Sequence, residues 1–220
     1  NRLLRGVDNN KDQSYFLAYV NREVFKDVIF PLGELTKPEV RKIALEYDLV
    51  TARKKDSTGI CFIGERNFTK FLENYLPNIP GDIINIDTKE VLGRHIGLMY
   101  YTIGQRRGLN IGGTKDRCFV VDKDLENNIL YVAIGDENKY LYSNSTIIEN
   151  FNFLTDERPL KCTCKFRYRQ PDIITDVKYL DNNTLKLNYV KSKAVTPGQF
   201  CVLYNGDVCI GGGIIKEVIK

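Results

Sequence analysis

"QFCVLYNGDVCIGGGII", residues 199–215, sets two apolar runs on either side of Asn205-Gly206. Asn-Gly is a strong hairpin dipeptide, because both residues tolerate the positive φ of the tight primed turns. Two strands are expected here, with Gly211, Gly212 and Gly213 marking a bulge or a close approach of backbones. Upstream, "KCTCKFRYR" (161–169) and "TLKLNYV" (184–190) also read as strands. Short strands separated by regular turns predict a small barrel or sandwich in this part of the chain.

In 161–169 the alternation places Cys162, Cys164, Phe166 and Tyr168 on one face. Lys161, Thr163, Lys165, Arg167 and Arg169 fall on the other. Four cations then form a stripe over about 27 Å of extended chain, which suits a phosphate backbone as well as it suits plain solvent. The C-x-C pair reads as small core residues, and Cys201 and Cys209 in similar apolar strands read alike.

A period of two also runs through the middle of the chain. "DIINID" (82–87) and "VLGRHIG" (91–97) flank a turn over 87–90, and "CFVVDKDLENNILYVAIG" (118–135) reads as a hairpin around 126–128. Before Gly81 the signals are helical. Thr36 and Glu39 form a capping box with Pro38 in the first turn, and Val40, Ile43, Ala44 and Tyr47 recur at helical spacing. A second helix fits "NFTKFLENYL" (67–76), and "LPNIPG" (76–81) breaks it. "KDQSYFL" (11–17) opens a further helix, with Asp12 a candidate cap and Tyr15, Phe16 and Tyr19 turned inward. The fold class expected is α+β and multidomain: residues 1–75 mainly helical, 76–142 mostly β, and 143–220 a β-barrel.

The 220 residues are 43% apolar and 27% charged, with a net charge of +4. This is a globular composition without a run of 18 apolar residues, so no helical membrane span is expected. The mild positive charge permits an anionic partner without requiring one. Six cysteines, at 61, 118, 162, 164, 201 and 209, include no C-x-x-C pair, and His95 is the single histidine. No metal site is expected from that set, and free thiols in a reducing cytosol are.

Two stretches hold candidate chemistry. "KKDSTGICFIGE" (54–65) sets Cys61 after Lys54 and Lys55. Cations lower a thiol's pKa, which would activate Cys61; packing among Ile60, Phe62 and Ile63 is the alternative, and the local residues leave both open. "YTIGQRRGLNIGG" (101–113) carries Arg106 and Arg107 among glycines, a composition able to cradle phosphates without matching a P-loop.

Taken together, "LLRGVDNNKDQSYFL", "FPLGELTKPEVRKIA", "KKDSTGICFIGERNFTKFL", "GLMYYTIGQRRGLNIGG", "KFRYRQPD" and "AVTPGQFCVLYNGDVCIGGGII" resemble the bacterial tRNA-specific 2-thiouridylases. The likeness runs from Arg2 to about Ile215. It implies an ATP-dependent, cytoplasmic sulfurtransferase in which Cys61 carries sulfur as a persulfide, loaded by an upstream donor protein. The sulfur goes to C2 of an adenylated wobble uridine of tRNA. The resemblance assigns tRNA contacts to Lys11, Asp12, Gln13, Arg167, Tyr168 and Gln199. The family's S-G-G-x-D-S loop for ATP and its second cysteine do not occur among these residues, and the first residue is Asn1 rather than Met. The chain is therefore expected to be the C-terminal part of such an enzyme, with ATP held by a preceding domain and no thiolation by this part alone. A tRNA-binding β-barrel module without chemistry is the alternative.

Overall fold

The computed structural model describes residues 2–55, 71–72 and 74–220. Cys61 and half of the helix expected over 67–76 lie outside the described residues. The chain divides into two compact units. One comprises Asn1–Lys55, Asn144–Ser192 and Thr196–Lys220; the other comprises Asp56–Ser143 and Lys193–Val195.

The second unit is built on a four-stranded sheet. Strands β1 (Gly81–Asn85), β2 (Val91–His95), β3 (Cys118–Asp124) and β4 (Ile129–Ile134) are ordered β2-β1-β4-β3. Both expected hairpins are present and antiparallel, and β1 joins β4 in parallel. Ile83, Val120, Leu130 and Val132 are fully buried against Leu98, Tyr101 and Leu109. Each such side chain contributes about 1.5–3 kcal/mol of burial. His95 is buried, with Nε2 3.0 Å from the Asn128 carbonyl and its ring edge-on to Tyr101. It is a packed histidine.

The expected barrel is closed and six-stranded, formed by β5 (Tyr142–Phe153), β6 (Lys161–Lys165), β7 (Ile173–Tyr179), β8 (Leu185–Lys193), β9 (Phe200–Asn205) and β10 (Val208–Ile219). Their order is β10-β5-β8-β7-β6-β9. The 205–208 hairpin forms one residue later than the Asn-Gly rule places it. Asn205 pairs with Val208, so Gly206-Asp207 is the loop, and only Gly206 takes a positive φ, of 57°. Glycine at the first central position is the signature of the II′ turn.

Strand β9 is buried on both faces, which explains why "CVLY" shows no polar alternation. On one side it meets the N-terminal segment and the end of β5: Leu3 and Ala18, with Leu154, cluster with Val202, Tyr204 and Cys209. Residues 3–5 also extend the sheet, since Cys209 N–H donates to the Leu3 carbonyl and Arg5 N–H to that of Asp207, both at 2.9 Å. The glycine triplet is a close-approach element with register shifts on both sides of it. Gly211 sits at φ 146°, and a Cβ there would lie 2.0 Å from the Asn152 carbonyl oxygen.

Helix α1 (Ser14–Leu17) is a single turn, and α2 runs over Lys37–Glu46. At the start of α2, the Glu39 carboxylate accepts from Thr36 N–H (2.7 Å) and Thr36 Oγ1 (2.6 Å). These bonds hold the Glu39 carboxyl below its ordinary pKa.

Two expectations are corrected. Phe16 and Tyr19 do not turn inward; they are 56% and 42% exposed. The reason is the shortness of α1: its single turn buries Ser14 and partly buries Tyr15 and Leu17, Ala18 follows into the core, and Asn152 Nδ2 then ties down the carbonyls of Ala18 (3.0 Å) and Val20 (2.9 Å). The cationic stripe is also broken. Strand β6 stops at Lys165, whose ammonium turns to Asp172 at 3.6 Å and keeps only 15% side-chain exposure. Arg167 and Arg169 sit on the turn that follows.

Candidate nucleic-acid interface

The N-terminal turn is assembled by carboxylates. Asp8 accepts from the N–H groups of Asn10 and Lys37, each at 2.9 Å, which lowers its pKa, the Lys37 bond contributing most. Asp12 is buried; its Oδ1 accepts from Gly6 N–H (3.2 Å) and Ser14 N–H (3.0 Å), and its Oδ2 accepts from Ser14 Oγ (2.8 Å). The Ser14 hydroxyl in turn meets the Tyr204 hydroxyl of β9 at 3.2 Å. Of the triplet Lys11-Asp12-Gln13, then, the aspartate points inward as a brace while Lys11 and Gln13 are exposed.

The turn after β6 is closed by a residue that sequence reading passed over. Gln170 Oε1 accepts from Phe166 N–H at 2.9 Å, and its Nε2 donates to Ser192 Oγ at 3.3 Å. A side chain that takes the next ladder donor ends the strand there. Phe166 goes into the core, 2% exposed, and Arg167 and Arg169 are left exposed. "RYRQ" contains the glutamine, but nothing in its spacing distinguishes a turn-closing amide from a surface one.

These two turns meet. Gln13 Nε2 donates to the Tyr168 hydroxyl at 2.9 Å, and the Phe16 and Tyr168 rings lie 4.5 Å apart. Tyr15 bridges onward, donating its hydroxyl to the Phe200 carbonyl at 3.1 Å. Burial pushes the Tyr15 phenol up to about 12, so it stays a donor. Tyr19 packs edge-to-face against Phe200 with centroids 5.0 Å apart. Gln199 adjoins Phe200; its carbonyl accepts from Ile215 N–H at 2.8 Å, which fixes the backbone at the start of β9. Of the six residues suggested by the resemblance, Gln13 and Tyr168 are hydrogen-bonded to each other, Lys11 and Arg167 are exposed on the same two turns, and Gln199 directly precedes Phe200. Cations beside aromatics with adjustable amides are the composition that grips an RNA strand.

In the other unit, Arg106 and Arg107 are exposed on a loop shaped by Gln105, whose Oε1 accepts from Thr102 N–H and whose Nε2 donates to the Arg107 carbonyl, both at 2.9 Å. Asp136 lies near this charge. Its carboxyl is held low chiefly by a 2.7 Å bond from Lys193, with Arg117 and Arg106 adding to the effect.

Among the described residues the five cysteines are free and buried. Burial pushes Cys162 and Cys209 up to about 12 and raises Cys201 strongly, so these thiols stay protonated. No group of three His, Cys, Asp or Glu among the described residues could hold a metal ion, and no described helix is long and apolar enough to cross a membrane.

Comparison with known proteins finds three successive family matches. Residues 1–65 match the tRNA methyl transferase HUP domain, 69–134 the tRNA methyl transferase PRC-barrel domain, and 143–215 the aminomethyltransferase beta-barrel domain. Among similar proteins, the tRNA-specific 2-thiouridylase MnmA 1 of Geobacillus kaustophilus is 58% identical over 99% of this chain. The MnmA proteins of Mesoplasma florum and Ureaplasma parvum are each 52% identical over 98%. The chain spans 60% of the length of the first two relatives and 57% of the third.

Proposed function

The chain belongs to the tRNA-specific 2-thiouridylase family, and from that premise we propose that it supplies the sulfur-carrying cysteine and a tRNA-binding face of such an enzyme. The observation that supports this reading most is the Gln13–Tyr168 hydrogen bond, because it joins two sequence motifs 155 residues apart on one cationic, aromatic surface.

In this reading a donor protein loads Cys61 with a terminal sulfur. That sulfur bonds to C2 of the wobble uridine of tRNA as adenylate leaves. A second cysteine of the enzyme releases it from Cys61 by closing a disulfide. Lys11, Arg167 and Arg169 hold phosphates, Gln13, Tyr168 and Gln199 orient the strand, and Asp12 acts through the turn it braces. ATP chemistry is assigned to none of these 220 residues, since the S-G-G-x-D-S loop is not among them. By themselves they are expected to bind tRNA and to leave it unthiolated, in a reducing cytoplasm that keeps the thiols free.

Thiol labelling tests the carrier role. At about pH 8 an activated Cys61 reacts, because cations favour its thiolate. Cys118, Cys162, Cys164, Cys201 and Cys209 stay silent in the native chain, being buried. Equal labelling of all six, mapped by mass spectrometry, contradicts the assignment.

A further inference from the structure

Phe16, Tyr19 and Phe200 are 56%, 42% and 40% exposed, and they lie together on the barrel unit. Leaving such rings partly in water forgoes the rest of their burial free energy. The placement is nevertheless firmly built. Phe16 rests against Tyr168 (4.5 Å) and edge-on to Tyr15 (5.5 Å), and Tyr19 rests against Phe200 (5.0 Å). Tyr15 couples the two pairs through its bond to the Phe200 carbonyl. The backbone beneath is pinned by Asp12 on one side of α1 and by Asn152 on the other.

We propose that Phe16, Tyr19 and Phe200 are a stacking platform for unpaired nucleobases of the bound RNA strand. None of the three is among the residues that the family resemblance assigns to tRNA. The ligand class follows from chemistry. Aromatic faces recognise base faces, and a paired helix buries its base faces in the stack, so the occupant is a single-stranded loop or end. The nearby charge agrees: the Arg169 guanidinium lies 5.9 Å from the Tyr168 ring, Arg167 is close enough to act on the Tyr15 phenol, and Lys11 is exposed on the turn that carries Gln13. A platform without cations would suit an apolar protein segment equally well; this one has nearby the charge that a phosphate backbone needs.

The inference rests on the RNA-binding reading, and the experiment separates the two. Affinity is measured for an RNA hairpin with an open loop and for a blunt duplex of equal length. The proteins compared are the chain, Phe16→Leu, Phe200→Leu and the double variant. Leucine keeps an apolar side chain but removes the π-face. Base stacking is worth about 1–3 kcal/mol per base, so the double variant is expected to lose roughly ten- to hundredfold on the hairpin and to keep its duplex affinity and salt slope. Melting temperatures should hold, since both rings are substantially exposed. Unchanged hairpin affinity in the double variant, as expected were the face a protein-docking surface, overturns the platform and leaves RNA binding standing. Parallel loss on hairpin and duplex overturns it too. Absence of any RNA binding by the unsubstituted chain overturns both readings.

Discussion

Two exposed arginine pairs differ in what surrounds them. Arg167 and Arg169 flank Tyr168 on a turn locked by Gln170, and Gln13, Phe16 and Phe200 belong to the same face. Arg106 and Arg107 sit on a glycine-bearing loop, and Asp136 feels the charge of Arg106. Formal charge is the same in both places. Among the described residues the first set is combined with the exposed rings of Phe16 and Phe200, and in the function proposed above that combination distinguishes a surface that holds and orients an RNA strand from one that merely attracts it.

The largest expected effect removes the first surface altogether. In Gly211→Ala the new methyl meets the Asn152 carbonyl oxygen at 2.0 Å, a backbone atom that cannot swing aside, at a φ that residues with side chains rarely adopt. A loss of about 3 kcal/mol or more in barrel stability is expected, read as a lower unfolding midpoint and as loss of RNA binding. A variant as stable as the parent would show that the triplet is not the close-approach element described above. A smaller effect sharpens the comparison: Gln170→Leu leaves both arginines in place and removes the bond that ends β6. It should cost about 1–2 kcal/mol of stability and weaken RNA binding several-fold, because the turn no longer presents Arg167 and Arg169 in fixed positions. Unaltered affinity would mean that these cations need no fixed geometry.

The stability of the barrel should also depend on alkaline pH. Cys162 and Cys209 are raised from an unfolded value of about 8.5 to about 12. Between those values the unfolded chain has lost protons that the folded chain keeps, so stability falls as pH rises through that window. Denaturant midpoints from about pH 8 to 11 should decline, and less so in Cys162→Ala; a flat profile would place these thiols nearer water.

Much of the fold is legible in the sequence because its signals are local. The hairpins at 81–95 and 118–134, the capping box at Thr36 and the barrel strands follow from period and turn chemistry. The features that sequence misplaces depend on long-range partners. Alternation carries the cationic stripe through to Arg169, and only the bonds made by Gln170 and Asp172 reveal that the strand ends at Lys165. Apolar spacing turns Phe16 and Tyr19 inward, whereas the tether from the distant Asn152 leaves them exposed. Of the candidate site, Lys11, Gln13, Arg167, Tyr168 and Gln199 follow from motif resemblance. The inward role of Asp12 and the part played by Phe200 require the folded chain.

The most direct test of the barrel face as the tRNA interface is the salt dependence of tRNA affinity in three proteins: the parent chain, Arg167→Ala/Arg169→Ala and Arg106→Ala/Arg107→Ala. Removing one cation that neutralises a phosphate lowers the slope of log K against log salt by about one. A slope lower by about two is predicted for the 167/169 variant, and a slope close to the parent's for the 106/107 variant. Equal slopes in all three, or a fall confined to the 106/107 variant, would contradict the assignment of the barrel face as the tRNA interface.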